Sequence, residues 1–244
     1  WHRGGPTGMA SQRAHIWTDV DAKRCEAPPW MFAPGATVAD YVDWALSVPM
    51  YFVEKPRIGR EHELLRLPEG FSFGDFLGGG FGGVQPTLAA WETHVGTLFP
   101  DVRLKRYVEI RGADCVPPRL LPALPALVTG LFYDDDARAE ALTLLSDGDD
   151  TIDRSARRAA ACQLGLNAVA DGWTMRQEAS ELLRIARRGL ERLQVSGREA
   201  AGTTHWLDEL TRIASGEQAP LYADANAALQ THPSLLSVAE TSLL

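Results

Sequence analysis

The sequence predicts an α+β protein, with short strands among helices first and a C-terminal region that is helical almost to its end. Three observations carry this expectation. Val102 to Arg111, VRLKRYVEIR, alternates with a period of two, so Val102, Leu104, Val108 and Ile110 share one face of a strand. Thr37 precedes VADYVDWALSV with Asp40 three residues on, a capping-box start for a helix that Pro49 closes. Met175, Ala179, Leu182, Leu183, Ala186, Leu190 and Leu193 fall on a single apolar stripe of a basic helix.

The remaining elements follow in order. MYFVE (Met50 to Glu54) has strand composition. The stretch 55–85 reads as irregular and ends in GGGFGG, Gly78 to Gly83. That cluster lacks the Lys-Ser/Thr of a phosphate-binding P-loop, so a flexible surface loop is the plainer reading. Gln85-Pro86-Thr87 opens a helix through Phe99, with Leu88, Trp91, Val95 and Leu98 at helical spacing and Pro100 as its stop. The alternating strand follows, and Gly112-Ala113-Asp114 ends it. From Arg119 onward the pattern is helical, with Arg184, Arg187, Arg188 and Arg192 read as the solvated face of the striped helix, and 219–244 as a weakly patterned tail.

Composition narrows the function classes. The chain has 244 residues, a formal charge of -8 and 45% hydrophobic residues, values of a globular protein long enough to bury a core. An acidic protein is poorly matched to nucleic acid, so the basic strand reads as a focused anion site. Cys25, Cys115 and Cys162 are odd in number and widely spaced, which argues against a disulfide framework or a zinc motif and for a reducing cytoplasm. No apolar run approaches the roughly 20 residues that span a bilayer, and no signal-peptide pattern is seen. The chain starts at Trp1, and WHRGGPTGM has no cap or periodic pattern, so it reads as a piece of a longer protein.

The strand carries the chemistry. Arg103, Lys105, Tyr107, Glu109 and Arg111 share its second face, and Arg106 is the one exception on the first. A face with three cations, a phenol and one carboxylate resembles a surface for polyanions and a metal. Glu109 and Arg111 lie two residues apart, about 6.6 Å along an extended strand. That spacing suits a carboxylate on a divalent cation beside a guanidinium on a phosphate the cation also touches. On the strand alone, an exposed surface ion pair worth little remains the plainer reading.

Longer blocks narrow the choice. HVGTLFPDVRLKRYVEIRGAD (His94 to Asp114), SQRAHIWTDVDAKR (Ser11 to Arg24), DYVDWALSVPMYFV (Asp40 to Val53) and LPALPALVTGLFYDDDA (Leu121 to Ala137) together resemble the plant-type glutamate–cysteine ligases, over roughly residues 8–195. The resemblance implies a glutamine synthetase-like curved antiparallel sheet with covering helices. Residues 1–244 would form the C-terminal part of that single catalytic domain, without the N-terminal portion that supplies further metal-binding carboxylates and much of the nucleotide pocket. It implies a carbon–nitrogen ligase with ATP as co-substrate and Mg2+ as cofactor, joining the γ-carboxylate of glutamate to the amine of cysteine through a γ-glutamyl phosphate, as in the first step of glutathione synthesis. Partners would be these small molecules, with no nucleic acid and no membrane. The 244 residues alone are expected to be inactive and marginally folded.

Residue roles come from the same resemblance. Glu109 matches a metal-binding glutamate, and Arg111 the catalytic arginine on the transferred phosphate. Arg13 matches the arginine that holds a carboxylate of glutamate. Trp17 and Tyr51 match substrate-pocket positions, and each fits a structural aromatic equally well. Arg103 and Lys105, on the face of Glu109, fit nucleotide phosphates or the sheet rim. His94 reads as a packing or hydrogen-bonding residue. CVPPRL (Cys115 to Leu120) departs from the family's Gly-Gly-Pro-Trp-x-Arg-Leu turn, although Arg119 and Leu120 are kept. That change leaves room for a relative with another acceptor, such as a ligase of ergothioneine synthesis, beside a non-catalytic remnant that only binds.

Overall fold

A computed structural model describes residues 7–26, 28–56, 62–146, 154–170 and 172–218. The N-terminal WHRGGP and the tail 219–244 lie outside the described residues, as does most of the RIGREH stretch. The chain divides into two compact units, one of residues 1–15 with 114–244, the other of residues 16–113. Helices and strands are mixed, as an α+β reading requires.

Helix α1 (Gln12–Trp17) and strand β1 (Cys25–Glu26) open the described order. Helix α2 (Val38–Ser47) then starts on the expected capping box, with Thr37 and Asp40 side chains each accepting from the other's backbone N–H. Val48 leaves the helix in extended conformation just before Pro49. Strands β2 (Val53–Lys55) and β3 (Glu63–Leu65) pair antiparallel, Val53 opposite Leu65. Helix α3 (Phe73–Gly79) carries a second capping box, Ser72 with Asp75. Residues 55–85, expected to be irregular, therefore hold a strand and a helix. Helix α4 (Leu88–Gly96) is capped by Thr87 and ends three residues short of the expected Phe99. Strand β4 (Phe99–Pro100) pairs in parallel with β1.

The alternating stretch is a hairpin and not one strand. Strand β5 (Val102–Leu104) turns through Lys105 to Tyr107 into β6 (Val108–Ile110), with Arg103 opposite Glu109. Val102, Val108 and Ile110 are 43%, 61% and 41% exposed, whereas Arg103 is 7% exposed. The face expected to meet covering helices is thus mostly open, and Arg103 of the polar face is buried. The core of this unit lies elsewhere. Tyr41, Ala45, Val48 and Leu98 pack with Trp44 and Trp91, and Val53, Phe73 and Phe76 form a neighbouring cluster that also meets Trp91. Fully burying a side chain such as Phe76 or Leu98 is worth about 2–3 kcal/mol.

The other unit is helical. Helices α5 (Ala123–Phe132), α6 (Asp135–Ser146) and α7 (Arg154–Leu164) precede the short antiparallel pair β7 (Val169–Ala170) and β8 (Trp173–Thr174). Helix α8 (Met175–Val195) starts on a Thr174–Gln177 capping box, and α9 (Asp208–Ser215) follows. The predicted stripe is the buried face of α8, where Leu183, Ala186 and Leu190 join Ala126, Leu207 and Ala214. Gly130 and Gly189 let α5 and α8 cross backbone to backbone, since a Cβ on Gly189 would stand 2.0 Å from the Gly130 carbonyl oxygen. The arginines of α8 do more than face water: Arg184 and Arg188 bind Glu140 of α6, and Arg192 binds Asp134. Among the described residues, strands pair in four two-stranded sheets and form no single curved sheet. No described helix is long and apolar enough to cross a membrane.

Candidate functional site

The hairpin brings two of the candidate residues, Arg103 and Arg111, onto the carboxylate of a third, Glu109. Glu109 Oε2 accepts from Arg103 Nε at 2.8 Å and lies 2.7 Å from Arg103 Nη2. Its Oε1 accepts from Arg111 Nη1 at 3.0 Å. Arg103 Nη1 also donates to the carbonyls of Gly96 and Leu98, at 3.1 and 3.0 Å, where the chain leaves α4. These contacts explain why an arginine is buried here: a guanidinium leaves water at a tolerable cost only when its donors find acceptors. The Arg103 guanidinium, and then that of Arg111, hold the Glu109 carboxyl below its ordinary value, so it is ionised near neutral pH.

Aromatic rings continue the line. The Arg111 guanidinium lies 5.5 Å from the centre of the Phe99 ring, and Phe99 meets Trp17 at 6.0 Å, tilted by 46°. A cation over a ring face is held electrostatically, so Phe99 and Glu109 restrain Arg111 from two sides. The backbone adds a third tie, as Arg111 N–H donates to the Asp101 carbonyl at 2.8 Å. Trp17, Phe99, Arg111, Glu109 and Arg103 therefore form one contiguous array within residues 16–113.

Among the other candidates, Lys105 and Tyr51 are not in that array. Lys105 is exposed in the hairpin turn, its N–H donating to the Tyr107 carbonyl at 2.9 Å. Arg13 is half-buried on α1 and belongs to the other unit. Tyr51 is 53% exposed and lies beside a cavity of about 210 Å3 that Glu54, His62, Gln85, Thr93 and His94 also line. His94 is buried and donates from Nε2 to the Ala45 carbonyl at 2.9 Å, with burial pushing its pKa down, so it is a neutral packing residue as expected. Two residues passed over in the sequence take part. Phe99 supports Arg111, and Arg24 lies over the Tyr51 ring at 3.6 Å. The Asp21–Arg24 spacing of three was a signal for a local ion pair, but nothing in the sequence marked that arginine as buried.

Two of the candidates, Arg103 and Glu109, are engaged with each other in this geometry. Arg103, read as meeting nucleotide phosphates or lying at the sheet rim, has a buried guanidinium engaged by Glu109 and two carbonyls. Glu109 was expected to bind a metal. Both of its oxygens accept from guanidinium groups, and no three His, Cys, Asp or Glu among the described residues are grouped to hold an ion. A magnesium ion wants several oxygen ligands and is repelled by adjacent cations. Among the residues grouped here, Glu109 is the one carboxylate that could be offered to such an ion.

The family model described as Glutamate-cysteine ligase family 2 (GCS2) matches residues 1–219, nine-tenths of the chain. The chain belongs to that family. Among its relatives, the chloroplastic glutamate–cysteine ligase of Arabidopsis thaliana is 39% identical over 212 residues, covering 86% of this chain and 39% of the relative. The chloroplastic enzyme of Nicotiana tabacum is 38% identical over 213 residues, with 86% and 38% covered. The chloroplastic ligase A of Oryza sativa subsp. indica is 41% identical over 192 residues, with 78% and 38% covered. The chain thus spans under two-fifths of the length of these relatives. Their names overturn the expectation of a cytoplasmic protein, because every one of these relatives is chloroplastic. The error was one of inference: free cysteines report reducing surroundings and do not say which compartment provides them.

Proposed function

We propose that this chain supplies part of the site of an ATP-dependent glutamate–cysteine ligase, giving γ-glutamylcysteine as in the first step of glutathione synthesis. Membership of the family supports the reaction class, and the family match runs continuously through both units, as parts of one catalytic domain would. The observation that carries the reading is Arg111, held by Glu109 and Phe99 so that its guanidinium is oriented before any substrate arrives.

A carboxylate is a poor electrophile. In the proposed reaction an oxygen of the glutamate γ-carboxylate attacks the terminal phosphorus of ATP, and ADP leaves. The neutral cysteine amine then attacks the acyl carbon, inorganic phosphate leaves with the electrons of the broken acyl–oxygen bond, and the proton lost from nitrogen passes to the departing phosphate or to water. Arg111 meets the phosphoryl oxygens, where an oriented guanidinium offsets the charge that a carboxylate and a triphosphate bring together. Glu109 and Arg103 orient Arg111. Arg13 takes a carboxylate of glutamate, for which a fork of N–H donors gives direction as well as charge. Trp17 and Tyr51 border the substrates, and exposed Lys105 meets a nucleotide phosphate. Glu109 would also offer its carboxylate to a divalent cation, which would supply further charge neutralisation for the triphosphate. The glutamine synthetase-like sheet belongs to this reading as a property of the longer protein.

The test is cysteine-dependent release of ADP by the full-length protein, with other amines in parallel. Release with cysteine and glutamate supports the reading. Release with a different amine only would move the protein to another acceptor, and binding of glutamate without any release would leave a non-catalytic remnant.

A further inference from the structure

Arg24 is 2% exposed, yet nothing in the reading above uses it. Its Nη1 donates to the Thr97 hydroxyl and carbonyl at 3.3 and 3.4 Å, and its backbone carbonyl accepts from Phe99 N–H at 2.7 Å. Its Nε donates to Asp21 Oδ2 at 2.7 Å, which balances its charge, and its Nη2 to the Pro49 carbonyl at 2.6 Å. Buried Arg103 takes the alternate residues of the same segment, Gly96 and Leu98, through their carbonyls. Four consecutive residues are thus gripped in turn by two buried arginines: Gly96 by Arg103, Thr97 by Arg24, Leu98 by Arg103 and Phe99 by Arg24.

That segment is a connection, running from the C-cap of α4 at Thr97 into the two-residue strand β4. Connections are ordinarily among the more mobile parts of a fold. This one carries the Phe99 ring that meets the Arg111 guanidinium, so any play in its backbone reaches Arg111. Apolar residues of similar volume often stabilise a fold as well as a buried ion pair does. A fork of donors adds direction, fixing its acceptors in distance and angle. We propose that Arg24 is a positioning residue for Arg111: with Arg103 it clamps residues 96–99, so that the Phe99 ring keeps the Arg111 guanidinium aimed. Its catalytic consequence rests on the ligase reading. Arg24 itself meets no substrate, since each of its three side-chain nitrogens already donates to the protein.

The experiment is a double-mutant cycle in the full-length protein, read as cysteine-dependent ADP release. Arg24→Lys keeps the charge beside Asp21 and loses the fork. It is expected to lower kcat about tenfold, with the KM for ATP within about twofold. In an Arg111→Ala background the same substitution should lower kcat by less than about twofold, because the group it aims is gone. Any effect through Tyr51, whose ring Arg24 also faces at 3.6 Å, is independent of Arg111 and would persist in that background. A wild-type kcat in Arg24→Lys, a change in KM alone, or an equal fall in both backgrounds overturns the proposal; a general loosening of the fold gives the last. If Arg24→Lys does not fold, Thr97→Val, which withdraws one acceptor from the fork, must lower kcat at least about threefold with the same dependence on Arg111. Additive behaviour or a wild-type kcat there overturns it. If wild type releases no ADP, the ligase reading fails on its own, and NMR of protein labelled with nitrogen-15 arginine decides the clamp. The Arg111 Nε–H resonance is the one lost in Arg111→Ala. Its displacement in Arg24→Lys or Thr97→Val supports the clamp, and an identical resonance in wild type and both variants overturns it.

Discussion

Arg103 and Glu109 face each other across the β5–β6 hairpin, directly opposite in register and joined at 2.7 and 2.8 Å. The pair fixes the hairpin and, through the second carboxylate oxygen, fixes Arg111.

Breaking that pair should cost stability. Glu109→Gln leaves a buried guanidinium without its counter-charge and is expected to destabilise the protein by about 2 kcal/mol, below the range for fully buried pairs because the carboxylate is partly solvated. Glu92→Gln removes the partner of Arg106, a pair whose arginine side chain is 91% exposed, and should change stability by less than about 0.5 kcal/mol. Urea denaturation of both variants checks the contrast, and equal effects would contradict it.

The same pair sets an acid limb. The folded-state pKa of Glu109 is depressed, so its contribution is fully present above the ordinary value of 4.5 and is lost as pH falls through the lower folded value. Between about pH 5 and pH 3 the wild-type melting temperature should therefore fall more steeply than that of Glu109→Gln. Parallel slopes would show that other carboxylates, such as Asp134 beside Arg192, dominate acid unfolding.

The α5–α8 crossing makes a separate prediction. Gly130→Ala places a methyl 2.2 Å from the Ala186 carbonyl oxygen, an overlap that backbone must relieve, at a cost of about 1–3 kcal/mol. Gly96→Ala in α4 meets nothing within 4 Å and should be neutral or stabilising by up to about 1 kcal/mol. Thermal unfolding distinguishes the two, and an unperturbed Gly130→Ala would mean that the helices have room to separate.

How much of this was legible in the sequence differs by element. Thr37 with Asp40 and the stripe of α8 were readable because local capping and long periodicity need no tertiary context. The hairpin was not, since its three-residue turn contains no glycine, proline, asparagine or aspartate. Val102, Leu104, Val108 and Ile110 also keep the same parity whether the segment is straight or folded back on itself. Helix α3 was lost behind the glycines, although Ser72 and Asp75 wrote a capping box before it. At the site, the candidates Arg103, Glu109, Arg111 and Trp17 do fall into one array. The burial of Arg103 depends on the Gly96 and Leu98 carbonyls, a tertiary fact that no local pattern encodes.

The central claim is that Arg111, oriented by Glu109 and Phe99, stabilises the transferring phosphoryl group. The direct measurement is cysteine-dependent ADP release by the full-length protein carrying Arg111→Lys or Arg111→Ala. The account predicts that kcat falls about 10²–10³-fold in Arg111→Ala, with at most partial recovery in Arg111→Lys, because a point charge lacks the fork. A folded Arg111→Ala protein that turns over at the wild-type rate would contradict it.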